Sequence, residues 1–330
     1  MEHNGSASSK RRTLYVKIKT PKYNWQAYKF GTISLCMIMR DNAKLLPRCL
    51  RSVRGLVDEI IIVDTGSVDN SVEIARSWGC KVLYDPWQDD FSRPRNISIQ
   101  HATKQWILIM DPDEMIEYKD HEKIRWLTRA KNVVAVRITT RNYSRVPYEP
   151  GYITLVGELD PTGQFTGFVP STKTRFFKNG LGIRFEGVWH ELVDWYLMRN
   201  KMPVGSSDVP IHHWGHEISQ KSQQEKTYFY LRLGEKKVKE WPHNGQAWWE
   251  LAVAEAIAGM RGRAAHSLAQ AFRLGFGSHS QFFTLARVLN MLGNPNLSRL
   301  SFEKGICMLF KNLTHIDPAK KSLEALIQTL

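Results

Sequence analysis

The sequence predicts an α/β chain in two parts, a parallel-sheet domain made of βαβ units followed by an α-helical region. Three observations predict it. Short β-branched runs alternate with helix-like stretches from Thr32 to Asp113. The stronger runs end in acidic and turn-forming residues. Beyond Glu217 large and small residues recur at a spacing of about 34, the tetratricopeptide period.

The first strand is Ile33 to Met39, an uncharged run. From Ala43 to Arg54, Leu45, Leu46, Leu50 and Val53 recur at helical spacing, and Pro47 falls in the first turn, where its missing N–H is no loss. The second strand, Glu59 to Val63, runs into Asp64-Thr65-Gly66-Ser67. Ser67 or Asp69 can cap the next helix, whose apolar face is Val72, Ile74, Ala75 and Trp78 before Gly79 ends it. The third strand is Lys81 to Tyr84, and the fourth, Trp106 to Met110, runs into Asp111-Pro112-Asp113. In an open parallel sheet ligands bind beyond the carboxyl ends of the strands, so the acids after strands two and four are expected to converge on one crevice. Residues 131 to 215 mix alternating segments such as Val133 to Thr139 with Gly and Pro turns and read as the less regular half of the same domain.

In the helical region Trp248 pairs with Phe282, Leu251 with Leu285, Ala252 with Ala286, Gly259 with Gly293, Leu268 with Phe302 and Ala271 with Gly305. These match the large and small positions of a tetratricopeptide-like repeat; an irregular helical bundle is the plainer alternative. Two helix pairs are few for a free-standing solenoid, so they are expected to lean on the first domain, with Trp248 in the helical core. The expected division is a basic N-terminal extension (1–30), an α/β domain (31–216) and a tetratricopeptide-like helical domain (217–330).

Composition bounds the function classes. A 330-residue chain with 42% hydrophobic and 24% charged residues is an ordinary folded protein, not a disordered one. No stretch reaches the roughly 18 apolar residues of a membrane span, and no apolar signal core opens the chain. Cys36, Cys49, Cys80 and Cys307 lack CxxC spacing, which fits reduced thiols and a cytoplasmic compartment better than a disulfide framework or a zinc site. The net charge of +14 is uneven: +6 over residues 1–30, −1 over 31–130, +2 over 131–220 and +7 over 221–330. Solubility with a basic tail is the plain reading; a polyanionic partner held by the two ends is the sharper one.

Asp111 and Asp113, flanking Pro112 at the end of an apolar strand, would present oxygens to Mg2+ or Mn2+ in the sheet crevice. With Ile33-Ser34-Leu35-Cys36-Met37-Ile38, the run Val57 to Asp69, Asp89-Asp90-Phe91-Ser92-Arg93-Pro94-Arg95-Asn96 and Trp106 to Glu114, the sequence closely resembles family 2 glycosyltransferases of the GT-A fold. It resembles especially the branch fused to tetratricopeptide-like helices, which includes peptide S-glycosyltransferases; Phe185 to Glu191 and Ile211 to Gly215 also resemble it. The resemblance departs from the usual pattern at Arg40-Asp41-Asn42, Pro94 and Pro112, the last stiffening the metal loop.

The resemblance implies a Rossmann-like nucleotide-diphospho-sugar transferase domain, a divalent metal and a nucleotide-sugar donor, most simply a UDP-sugar. In it Asp64 with Thr65 would contact the base, Asp69 would order the adjoining loop, Asp90, Arg95 and Asn96 would line the donor pocket, and Asp111 would lie near ribose and metal. Asp113 would be the metal ligand proper, with His213 a third contact. The family inverts the anomeric centre and so needs a general base: Glu191 leads, followed by Asp194, with His190 beside them. Each has a plainer role: turn and cap duty for Asp64 and Asp69, an internal ion pair for Arg95, buried hydrogen-bonded histidines for His190 and His213.

The acceptor is read from charge. Basic ends with interleaved aromatics, Tyr23, Trp25, Tyr28 and Phe30, then Tyr228, Phe229, Tyr230, Trp241 and Trp249, fit a DNA acceptor, with a hydroxymethylated base such as 5-hydroxymethylcytosine as the expected target, as phage enzymes modify their genomes. The alternatives are a peptide or protein O- or S-glycosyltransferase that holds polypeptide on its repeats, and a catalytically inactive nucleic-acid-binding protein.

Overall fold

The computed structural model describes residues 16–18, 29–145, 151–155, 164–214 and 223–276, with scattered residues between 286 and 303. The chain divides into two compact units, Met1–Ser219 and Gln220–Leu330. Most of the basic first thirty residues, and the second half of every repeat pair named above except Ala286 and Phe302, lie outside the described residues.

The first unit is one mixed sheet. Its strands are β1 (Val16–Lys17), β2 (Ile33–Met39), β3 (Glu59–Asp64), β4 (Lys81–Tyr84), β5 (Trp106–Ile109), β6 (Glu114–Met115), β7 (Ala135–Ser144), β8 (Ile153–Thr154), β9 (Gly167–Lys178) and β10 (Val204–His213). They lie in the order β1-β10-β7-β9-β5-β2-β3-β4, with β6 on β10 and β8 on β9. The half β5-β2-β3-β4 is parallel, as the βαβ pattern requires. Antiparallel β9 joins it to a second half in which β7 and β10 run parallel. The stretch expected to be less regular thus supplies three long strands. A short piece of the N-terminal extension also enters the sheet, Val16 and Lys17 pairing with Gly205 and Ser206.

Helices α1 (Leu46–Ser52), α2 (Ser71–Ser77), α3 (Ser92–Gln100), α4 (His121–Leu127) and α5 (Asp194–Arg199) cover the sheet. The side-chain alternation of β2 shows how both faces fill: Leu35, Met37 and Met39 join one core with Leu46, Leu50, Ile124 and Leu127, while Cys36 joins Ile107, Ile109, Phe177 and Leu197 in the other. Each fully buried Leu, Ile or Phe contributes roughly 1.5 to 3 kcal/mol. In the parallel half, charged residues stand only at the strand ends, which is where the acids lie. Cys36, Cys49 and Cys80 are buried free thiols, and burial pushes Cys36 up to about 12 and Cys80 up to about 11. Among the described residues no helix is long and apolar enough to cross a membrane.

The second unit contains α6 (Gln223–Glu240), α7 (Gly245–Ile257) and α8 (Arg261–Arg273). Asn244 caps α7 by accepting from the Ala247 N–H at 3.1 Å. Trp248, expected in the core, is only half-buried; its Nε1 donates to Pro242 O at 2.8 Å. With Leu251, Glu255, Arg263 and His266 it lines a groove of about 600 Å³.

At the end of β10, His212 is buried, stacked on Tyr143 and sharing a 2.7 Å hydrogen bond with its hydroxyl. Glu117 Oε1 lies 3.3 Å from His212 Nε2, without the alignment of a hydrogen bond. Burial presses the His212 pKa from 6.5 down to about 4, against the pull of Glu117. The unfolded chain therefore binds the extra proton first: stability is complete above pH 6.5 and falls as pH drops toward 4, by about 3 kcal/mol. Urea midpoints measured across this range should fall further for the wild type than for His212→Gln; parallel curves would remove His212 as the cause.

Candidate active site

The site lies at the carboxyl ends of β2, β3 and β5, where three loops are wired together by short acidic side chains. After β3, Asp64 accepts from the backbone N–H groups of Gly66 and Ser67, each at 3.2 Å, and from the Ser67 hydroxyl. Gly66 has φ +108°, a turn that a side chain at this position would strain. Asp69 reaches back to the loop after β2, accepting from the Ala43 N–H at 3.0 Å, and also holds Ser71 by its N–H and hydroxyl. Burial opposes the charged form of Asp69, but these hydrogen bonds prevail and lower its pKa. Asp41, at φ +53°, accepts from the Val68 N–H at 2.8 Å. Thr65 is buried, its hydroxyl donating to Met39 O at 3.1 Å. Asp64, Thr65 and Asp69 therefore do turn duty, and through it they set the shape of the crevice wall.

The floor is a buried charge network. Arg95, in α3, donates from Nε to Glu191 Oε1 at 2.6 Å and from Nη2 to Asp111 Oδ1 at 2.9 Å, with its guanidinium 5.4 Å from the Phe185 ring centroid. Arg175, in β9, grips Glu114 through Nη2 at 2.9 Å and Nη1 at 3.2 Å, and its Nη1 lies 3.7 Å from Asp111 Oδ2. Glu114 also accepts from the Asp111 N–H at 2.8 Å, which tightens the Asp111–Glu114 turn. Burial alone would raise the Asp111 pKa; Arg95 and Arg175 overrule it and hold the carboxyl well below its usual range. For Glu114 burial wins over Arg175, and the pKa rises.

Asp113 points the other way, to His213. Asn142 Nδ2 donates to Val169 O at 2.8 Å, so its Oδ1 faces His213 Nδ1, also at 2.8 Å, and the proton belongs on Nδ1. That leaves Nε2 facing Asp113 Oδ2 at 3.1 Å, and two lone pairs do not face each other unless a proton or a cation sits between them. Burial lowers the His213 pKa, but the bond and charge of Asp113 more than reverse this and raise it.

The expected site residues thus separate into groups. Asp111, Arg95 and Glu191 are joined, as are Asp113 and His213. Asp111 is turned to the arginines, so the expected ligand trio Asp111, Asp113 and His213 does not assemble; among the described residues no three His, Cys, Asp or Glu side chains form a metal cluster. Asp90 accepts from the Ser92 and Arg93 N–H groups at the start of α3. Asn96 clasps Phe185 in both directions, at 3.0 and 2.8 Å. Asp194 accepts from Thr174 Oγ1 at 3.0 Å and lies 3.7 Å from Arg137 Nε. His190 is exposed, at φ +51°, its ring against Trp189. Arg175 and Asn142, both unforeseen, complete the site; a charged or amide residue interrupting a long alternating strand is the only sequence signal either gives.

Removing one partner of a buried pair leaves the other charge stranded, at a cost of about 3 to 5 kcal/mol. Arg175→Met should destabilise the protein by about that much in chemical denaturation. Adding Glu114→Gln should restore part of the loss, and simple additivity in the double-mutant cycle would show the pair to be uncoupled.

Residues 34–189 match the family described as Glycosyl transferase family 2. A TPR repeat-containing protein of Synechococcus elongatus is 40% identical over 163 residues, 49% of this chain and 35% of that protein. The glycosyltransferase SunS of Bacillus phage SPbeta is 25% identical over 216 residues, 64% of this chain and 46% of its own length. The chain thus spans less than half the length of these curated relatives. Among solved structures, a mannosyltransferase from Pyrobaculum calidifontis in complex with GDP-Man and Mn2+ aligns over 86% of this chain and 91% of that one, at 14% identity and a TM-score of 0.44. A glucosyl-3-phosphoglycerate synthase from Mycobacterium tuberculosis in complex with Mn2+, UDP and glucosyl-3-phosphoglycerate aligns over 66% and 83%, at 14% and 0.45. Residues 34–189, just under half of the chain, are thus the part that matches Glycosyl transferase family 2, and they hold most of the parallel half of the sheet with its acidic strand-end crevice.

Proposed function

We propose that this protein is a metal-dependent, inverting glycosyltransferase that moves a sugar from a nucleotide-diphosphate sugar, most simply a UDP-sugar, to an acceptor hydroxyl. The observation that carries the reading is the Asp113–His213 pair at the carboxyl end of the sheet. The donor set fits a divalent cation: a carboxylate oxygen and an imidazole Nε2 whose tautomer is fixed from behind by Asn142. Asp113 and His213 would hold it, with other positions left to water and diphosphate oxygens. When bound, such an ion supplies Lewis-acid stabilisation of the departing diphosphate.

The chain's own residues do the rest. Arg95 ties Glu191 to Asp111, so acceptor-side and donor-side carboxylates are held by one rigid guanidinium. Glu191 Oε1 accepts from Arg95, while Oε2 has no protein hydrogen bond among the described residues and can take the acceptor proton. Asp194, committed to Thr174 and Arg137, and His190, exposed with its ring against Trp189, are the weaker bases.

For the acceptor, the +6 and +7 ends of the chain support DNA, with a hydroxymethylated base receiving the sugar. The groove of the helical unit favours a second reading. Its lining mixes Glu235 and Glu255 with Lys239 and Arg263, a balance of charge that suits a polypeptide segment and gives a polyanion no net attraction.

Asp113→Ala should keep the fold and lose at least a hundredfold in metal-dependent release of nucleoside diphosphate, the order expected for removing a principal electrostatic stabiliser. Unchanged turnover would take Asp113 out of the metal site. Mass analysis of hydroxymethylcytosine DNA, unmodified DNA and peptide pools incubated with sugar nucleotides separates the acceptors; transfer only to peptide would sink the DNA reading.

A further inference from the structure

The first turn of α1 lies against the loop that carries Asp113. Cys49 Sγ is 3.5 Å from Asp111 O, and Ser52 Oγ accepts from the Ile116 N–H at 3.3 Å, so α1 is fastened to backbone on both sides of Asp113. Between these anchors and the chain start of α1 stands Arg48. Its guanidinium lies over the indole of Trp214, 4.2 Å from the ring centroid, and Trp214 directly follows His213. Trp214 is itself fixed, buried and stacked on Tyr143. A planar cation is thereby held over an aromatic face at the flank of the Asp113–His213 pair, and Asp113 is the carboxylate whose charge acts on it most strongly.

Arg48 is nevertheless left incomplete. Among the described residues no carboxylate lies within 4 Å of it, and its Nη2 is buried without a hydrogen-bond partner. Arg95 and Arg175 also keep one buried nitrogen each without a partner, but their charge is neutralised by Glu191, Asp111 and Glu114, whereas that of Arg48 is not. A buried, unanswered guanidinium donor is costly, and it is expected where a ligand brings the acceptor. Asp113, Asp111 and Glu114 would also repel a dianion, so a diphosphate arriving at Asp113 and His213 gains from a cation that protein carboxylates have not already cancelled.

Resting on the donor reading above, we propose that Arg48 recognises the diphosphate of the sugar nucleotide, donating to its oxygens from the Trp214 platform. The fork geometry suits a phosphate, and the contact with the Trp214 ring holds the guanidinium in place in advance.

The test titrates UDP and GDP, each with Mn2+, into the full chain by calorimetry, with uridine and guanosine as phosphate-free controls followed by saturation-transfer NMR. Wild type should bind a diphosphate; Arg48→Met should bind it roughly ten- to a hundredfold more weakly, the loss of charge-assisted hydrogen bonds, with nucleoside binding and thermal midpoint unchanged. Arg48→Lys, which keeps the charge without the fork, should fall between. Equal diphosphate affinity in wild type and Arg48→Met, or an equal loss for nucleoside and diphosphate, would overturn the role of Arg48 and leave the donor reading standing. Wild type that binds neither diphosphate would overturn both.

Discussion

Arg95 and Arg175 are taken almost fully out of water beneath the loop that follows β5, and the rest of the site is arranged around the need to answer them. A buried guanidinium is tolerable only among carboxylates and hydrogen-bond acceptors. Asp111, Glu114 and Glu191 meet that need, and each comes from a different direction relative to the sheet. Meeting it ties α3, β9, the Asp111–Glu114 turn and the segment before α5 into one body. Buried ion pairs are weak evidence for stability, because apolar side chains of similar volume can do as well. What apolar replacements could not do is hold two carboxylates on adjacent nitrogens of one planar group.

The same network decides which acid is available. With Asp111 committed to the arginines, Asp113 is left to face His213 across a gap that favours a cation, although the two residues are separated only by Pro112. Proline fixes one backbone torsion between them, and the Glu114 carboxylate closes the turn onto the Asp111 N–H. One acid is thus spent within the protein while its neighbour faces a histidine. On the opposite wall Asp64, Asp69 and Asp41 spend their oxygens on backbone N–H groups of the loops. A nucleotide would meet a wall already formed, which lowers the ordering cost of binding it.

Much of this was legible from local pattern. Four short runs gave four parallel strands within a residue or two, because their charged residues stand only at the strand ends. Gly79 stops α2 with φ +77°, and Pro47 sits in the first turn of α1, as residue chemistry dictates. The plainer roles foreseen for Asp64, Asp69 and Arg95 are also present, alongside any donor contact. What local pattern could not show is long-range pairing. Arg175 reaches Glu114, Asn142 orients His213 and Arg48 meets Trp214 only because antiparallel β9 places β7 and β10 beside the parallel half. Residues 131–215 read as irregular for a related reason: β7, β9 and β10 carry polar residues toward the site and so break the apolar alternation that marks a strand. Trp248 was expected in the core because it falls on a large position of the repeat pattern, yet its indole N–H finds Pro242 O at the surface and leaves the ring in the groove wall.

Net charge needs the same correction for pairing. The helical third carries +7, but part of that charge is already answered inside the unit. Lys237 is buried against Glu250 at 2.6 Å, and Arg263 bridges Glu235 and Glu255 across α6, α7 and α8. Charge consumed in this way gives no counterion release, so the affinity of this unit for a polyanion is smaller than its formal sum implies. Within the groove the balance shifts further, since Glu255 is buried with one oxygen unpartnered among the described residues and calls for a donor rather than a phosphate. A polypeptide can supply backbone N–H groups or a basic side chain to that oxygen; a nucleic acid backbone brings only acceptors and negative charge. DNA held by this chain would therefore have to lie on basic surface away from the groove. The two acceptor classes make different physical demands: one depends on salt and on outward-facing lysines and arginines, the other on a cleft of balanced charge with Trp248 in its wall, which depends less on salt.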